Sequence, residues 1–139
     1  LRQRKSRNQT MKINKLTTLF ASLLAALLFS GCAAVIVGAG AGAGVYAYVR
    51  GEMKGNENHS LDQTWAATQA AMKDLQFNVS SQQKDALQAR LIARTAMDKR
   101  IEINLTKITD NTTEVTIRVG TFGDQTLSHT IVQAIEKHF

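Results

Sequence analysis

Few side chains in this chain can do chemistry: one thiol, Cys32, and three imidazoles, His59, His129 and His138. A metal site needs several nitrogen, sulfur or oxygen ligands brought together. No histidine here lies four residues from another histidine or a carboxylate, and a lone cysteine excludes both a multi-thiolate site and an internal disulfide. No serine sits in a G-x-S-x-G elbow, so nucleophilic acyl chemistry has no template. No metal or cofactor is expected. Two places remain. Cys32 closes an apolar run, where its sulfur is placed for covalent modification. Gly120-Thr121-Phe122-Gly123-Asp124 joins a strand pattern to a helix pattern, and the first amides of a helix can hold an anion. In that turn Gly120, Thr121, Gly123 and Asp124 are the candidate ligand residues. The competing reading makes Asp124 a helix cap, whose own carboxylate excludes a second anion.

The residues before Cys32 decide what the thiol is for. Met11 reads as a start, and residues 1–10 as an upstream extension outside the mature protein. Lys12 and Lys15 form a basic n-region, and Leu16 to Phe29 carries no charge. That run is short for a bilayer helix, which needs roughly 20 residues, and it ends in the small residues Ser30-Gly31. Leu28-Phe29-Ser30-Gly31-Cys32 resembles a bacterial lipobox. The resemblance implies cleavage between Gly31 and Cys32, a diacylglyceryl thioether on Cys32, and attachment to the membrane through its acyl chains. Leu28 stands one place further from the cysteine than the commonest pattern has it. Ala33, in place of an acidic residue, implies outer-membrane delivery by resemblance to enteric lipoproteins. An uncleaved anchor and a secretory signal with an incidental cysteine are the alternatives.

Charge supports the division. The chain has 17 Lys and Arg against 11 Asp and Glu. Arg2, Arg4, Lys5, Arg7, Lys12 and Lys15 all precede the apolar run, which leaves the rest neutral. A basic footprint for nucleic acid is therefore absent from the mature part.

Residues 33–49 carry no charge, and Gly38, Gly40, Gly42 and Gly44 alternate with alanine. Val35 to Ala43 has the spacing of a dinucleotide fingerprint, but a strand pattern follows it where a helix is required. Two readings stay open: an apolar tether over residues 32–44, and a membrane helix packed through Gly38/Gly42 and Gly40/Gly44.

The rest predicts an α+β domain over residues 45–139, an antiparallel sheet of about five strands with two helices on one face, in the order β-α-β-β-β-β-α. Alternation starts at Val45, Ala47 and Val49 and runs weakly through Lys54. Tyr46 and Tyr48 beside it suit strand packing or an interface. Ser60 and Gln63 predict a capping box, followed by a helix with the stripe Leu61, Trp65, Thr68, Met72 and Leu75. Trp65 is expected in the core, with ligand contact as the alternative. Phe77 to Ser81, Leu87 to Ala93, Ile101 to Leu105 and Thr113 to Val119 each alternate at period two, so one sheet face is buried and one is wet. Placing Leu105 opposite Val115 puts Ile103 opposite Ile117 and Glu102 opposite Arg118. A charged ladder joined by Arg90 or Arg94 is expected there, with solvation as its role. Leu127, Ile131, Ala134 and Ile135 line the last helix.

Gly31-Cys32-Ala33-Ala34-Val35, the glycine tract, the Leu61 to Leu75 helix and the Arg118 to Asp124 segment together resemble the small bacterial lipoproteins catalogued as domain of unknown function three-five-six-eight. The resemblance implies a lipid anchor and an α+β domain and adds no mechanism. The expected function is a non-enzymatic binding or structural module anchored in the cell envelope, its partners the membrane and a second envelope protein. A small ligand-binding or enzymatic domain, using the wet face or the Gly120 turn, and a glycine-zipper membrane anchor are the alternatives.

Overall fold

The computed structural model describes residues 35–37 and 44–139. Seven strands form one antiparallel sheet: β1 (Val35–Val37), β2 (Val45–Val49), β3 (Glu52–Glu57), β4 (Asn78–Lys84), β5 (Gln88–Arg94), β6 (Arg100–Thr109) and β7 (Thr112–Val119). Two helices join them, α1 (Leu61–Asp74) after β3 and α2 (Gln125–Glu136) after β7. Across the sheet the order is β1-β2-β3-β7-β6-β5-β4. The class is α+β. Six strands lie between Val45 and Val119, one more than expected, and the three-residue β1 adds an edge.

The extra strand comes from a hairpin inside the segment expected to hold one strand. Arg50 (φ 52°) and Gly51 (φ 85°) both take positive φ, the conformation of a two-residue turn whose twist matches its flanking strands. Val45 then pairs with Asn56 and Val49 with Glu52. A non-glycine residue at the first turn position hides this turn in the sequence. The hairpin also settles which way β2 faces. Val45 and Val49 are exposed, and Tyr46 is completely buried, so the valines point outward and the tyrosine into the core.

From β5 to β7 the period-two pattern decides the packing. Leu91, Ala93, Ile101, Ile103, Leu105, Val115, Ile117 and Val119 are all buried on one face. Against them lie Ala67, Ala71 and Met72 of α1 and Ile131, Val132 and Ile135 of α2. Trp65, Leu75, Phe77, Val79 and Leu127 are partly buried around this cluster. Leu87 lies before β5 and is exposed. α1 begins in the expected capping box: the Gln63 amide donates to Ser60 Oγ at 3.3 Å, and the Ser60 amide donates to Gln63 Oε1 at 3.1 Å. Inside the helix, Thr68 Oγ1 donates to the Thr64 carbonyl at 2.7 Å, which satisfies a hydroxyl in the core.

The β6–β7 register is the expected one, with Leu105 opposite Val115, Ile103 opposite Ile117 and Glu102 opposite Arg118. The ion pairs on the wet face are distributed differently. Glu102 pairs with Arg90 at 2.7 Å and Arg100 at 3.2 Å. Arg118 reaches the other way, to Glu52 at 3.1 Å, because the hairpin places β3 beside β7. Arg94 pairs with Asp98 in its own loop. Such half-exposed pairs contribute about 0–1 kcal/mol each. They keep the face soluble and do little to hold it together.

Candidate functional site

Strand polarity places the α1–β4 connection and three others at one end of the sheet. The β2–β3 turn at Arg50-Gly51, the β5–β6 loop over residues 95–99 and the β7–α2 turn over residues 120–124 all lie there. β1 pairs Val35 with Tyr48 and Val37 with Tyr46, so the chain enters the sheet from this same end.

The 120–124 turn is fixed by its neighbours. Gly123 (φ 87°) sits so close to Gly51 and the Tyr48 hydroxyl that a Cβ there would collide with both. Arg118 Nη2 donates to the Thr121 carbonyl at 3.1 Å. Gly120 takes φ 68° and its amide donates to the Arg100 carbonyl at 2.7 Å. Asp124 caps α2, its Oδ1 accepting from the Leu127 amide at 3.0 Å, while Oδ2 pairs with Lys99 at 2.8 Å. The Lys99 ammonium, followed by the Leu127 amide, holds the Asp124 carboxyl below the usual carboxylate range. Gly120, Thr121, Gly123 and Asp124 are thus brought together as expected, and the helix N-terminus faces a carboxylate of the chain itself. Thr121 and Phe122 are left outside, Phe122 with 92% of its surface exposed.

A second cluster is sealed inside the domain. Tyr46 Oη donates to Glu57 Oε1 at 2.5 Å, and both residues are fully buried. Glu57 Oε2 and Glu136 Oε1 are buried without a partner among the described residues. Burial raises the Glu57 carboxyl; the Tyr46 hydroxyl and the Gly44 amide oppose that shift, and the nearby Glu136 adds to it. Burial likewise raises Glu136, and it raises the Tyr46 phenol far above its ordinary value. Glu57 carries no sign of this in an Asn56-Glu57-Asn58-His59 run that reads as a loop. Its parity was the available signal, since Glu57 follows Met53 and Gly55 at steps of two on the inward face of β3.

The histidines stay apart. His59 stacks on Phe139 with centroids 3.9 Å apart, and His138 Nε2 lies 2.8 Å from Asp74 Oδ2. Among the described residues, no group of three or more histidine, cysteine, aspartate or glutamate side chains could hold a metal. No helix among them is long and apolar enough to cross a membrane. Gly31, Cys32 and the glycines from Gly38 to Gly42 lie outside the described residues.

With this geometry in hand, comparison with known proteins returns one family, described as protein of unknown function (DUF3568), whose model matches residues 15–138. The chain belongs to that family. No curated protein matches it. For this DUF3568 chain the match runs from Lys15 through the apolar run and Cys32 to His138, and so takes in the whole sheet and both helices.

Proposed function

We propose that this DUF3568 protein is a lipid-anchored component of the bacterial cell envelope, held at the outer membrane on its periplasmic side by acyl chains on Cys32. Its domain acts by binding or as a structural element, without catalysis. The observation that carries the reading is Leu28-Phe29-Ser30-Gly31-Cys32, preceded by a basic segment and an uncharged run and followed by a neutral remainder. Two or three acyl chains hold a protein at a bilayer stably where one does not, because each buried methylene contributes about 0.8 kcal/mol. The arrangement of polar groups supports a non-catalytic role. On the wet face Glu52, Glu102 and Glu114 pair with Arg118, Arg90 and Lys54. The Tyr46–Glu57 pair is closed to substrate by its burial.

Mass spectrometry of the protein isolated from membranes tests the anchor. The expected N-terminus is Cys32 carrying a diacylglyceryl thioether, and Cys32→Ser should leave the leader uncut. A free Cys32 thiol still joined to Gly31 would refute the proposal.

A further inference from the structure

We infer that the end of the sheet formed by the 50–51, 95–99 and 120–124 connections lies against the phospholipid surface, with Phe122 and Met97 inserted among the lipids. This rests on the anchor proposed above and adds an orientation that the anchor alone does not supply.

Three independent observations carry it. The two most exposed large apolar side chains of the domain are Phe122 at 92% and Met97 at 84%. Both lie at this one end, although they belong to different connections. Leu87 and Ile108, at 61% and 54%, lie at the opposite end and are less exposed.

The second observation is that these tips are held in place. Lys99 ties the 95–99 loop to the 120–124 turn through Asp124 at 2.8 Å. Within the loop, the Asp98 amide donates to the Thr95 carbonyl at 2.9 Å, the Thr95 amide to the Lys99 carbonyl at 3.0 Å, and the Lys99 amide to Thr95 Oγ1 at 3.1 Å. Met97 sits at the tip of that closed loop. Phe122 is carried by a turn packed on Gly51 and the Tyr48 hydroxyl. A flexible loop would fold such side chains back onto the domain. Here backbone hydrogen bonds and the Lys99–Asp124 pair hold both tips outward in the structure, and the apolar groups stay in water unless something covers them.

The third observation identifies the cover. β1 enters from this end, and only Ala33 and Ala34 separate Val35 from Cys32. Three peptide steps span at most about 11 Å. Acyl chains on Cys32 therefore hold this end, and no other, within a short reach of the bilayer. Arg50, exposed at the tip of the hairpin and without an ion pair among the described residues, suits the phosphate level of such a surface. The other basic groups nearby are largely neutralised by Asp98, Glu102, Glu52 and Asp124. Apolar insertion, more than net charge, is the attraction.

Single-cysteine labelling of the full-length, processed protein tests this. Phe122→Cys, Met97→Cys, Leu87→Cys and Ile108→Cys are each reconstituted into vesicles of phosphatidylethanolamine and phosphatidylglycerol, then treated with a membrane-impermeant maleimide. A thioether at Cys32 cannot react, so the unsubstituted protein should stay unlabelled. Relative to protein in detergent, labelling at 122 and 97 should slow by about tenfold or more, while 87 and 108 react at unchanged rates. Similar rates at all four positions, with the unsubstituted protein unlabelled, overturn the orientation and leave the anchor standing. Protection of 122 and 97 in whole outer membranes but not in pure lipid also overturns it, in favour of a protein cover. Labelling of the unsubstituted protein at Cys32 overturns both.

Discussion

Tyr46→Phe is the substitution whose effect depends most sharply on conditions. It removes one hydroxyl from a hydrogen bond 2.5 Å long between two fully buried residues. A hydrogen bond to an ionised partner contributes about 1.5–3 kcal/mol and a neutral one about 0.5–1.5 kcal/mol. The cost of the substitution therefore follows the charge on Glu57. Burial raises the folded-state Glu57 carboxyl above its ordinary 4.5. Between the ordinary and the raised value, the folded chain keeps a proton that the unfolded chain has released. Stability from this group is fully present below the ordinary value and is lost as the pH rises through the raised one. The hydroxyl favours the ionised form, so Tyr46→Phe pushes the Glu57 value further up and deepens that loss.

Urea unfolding at a series of pH values from 4 to 8 measures the effect. At the acid end Tyr46→Phe should cost about 0.5–1.5 kcal/mol, and at the alkaline end about 1.5–3 kcal/mol. For a domain of this size each kcal/mol corresponds to roughly 4–8 °C in Tm. Glu57→Gln should flatten the pH dependence and remove most of the extra alkaline cost of Tyr46→Phe in the double variant. An equal cost at both ends, or strict additivity of the two substitutions, would refute the buried-pair account.

Three further outcomes separate core, cap and turn. Ile117→Ala deletes a fully buried side chain facing both helices and should cost about 2–5 kcal/mol, whereas Glu102→Gln on the wet face should cost under about 1 kcal/mol at the same urea midpoint measurement. Ser60→Ala breaks the capping box and should lower stability by about 0.5–2 kcal/mol, read as a drop in Tm with the fold's circular dichroism retained. Gly123→Ala adds a Cβ where φ is 87° and where Gly51 and the Tyr48 hydroxyl leave no space; it should cost more than about 1 kcal/mol in thermal unfolding, while Thr121→Ala in the same exposed turn should stay within about 0.5 kcal/mol.

The parts of the fold legible in the sequence are those where one principle acted alone. From β5 to β7 most inward positions are aliphatic and most outward ones polar, with Ile92 outward and Thr113 inward as exceptions, so parity fixes face and register together, and Leu105 opposite Val115 follows. The Ser60–Gln63 cap and the helix behind it were legible for the same reason. The amino-terminal hairpin was not, because two signals opposed each other there. Val45, Ala47 and Val49 are more apolar than the tyrosines between them, yet Tyr46 goes inside since its hydroxyl finds Glu57. That partner becomes visible only once Arg50-Gly51 is known to turn the chain. The ion pairs failed for a related reason. Glu102 and Arg118 were correctly placed opposite each other, but which neighbour each one reaches depends on β3 lying beyond β7.

The same hairpin governs what the proposed anchor at Cys32 would do to the domain. With one turn between β2 and β3, β1 runs parallel to β3 at the sheet's edge, and the chain before it arrives at the end bearing Phe122 and Met97. Had Val45 to Lys54 formed one uninterrupted strand, the edge pairing would carry no such relation to the 120–124 turn. Changing the number of residues between β1 and β2 lengthens or shortens that connection without reversing the polarity of either strand. A leader fused ahead of Val35 therefore reaches the 50–51, 95–99 and 120–124 end for any length of glycine tract that still permits the β1–β2 pairing. The acylation proposed at Cys32 and the exposure of Phe122 are in this way linked through strand direction, a property of the fold that neither residue carries alone.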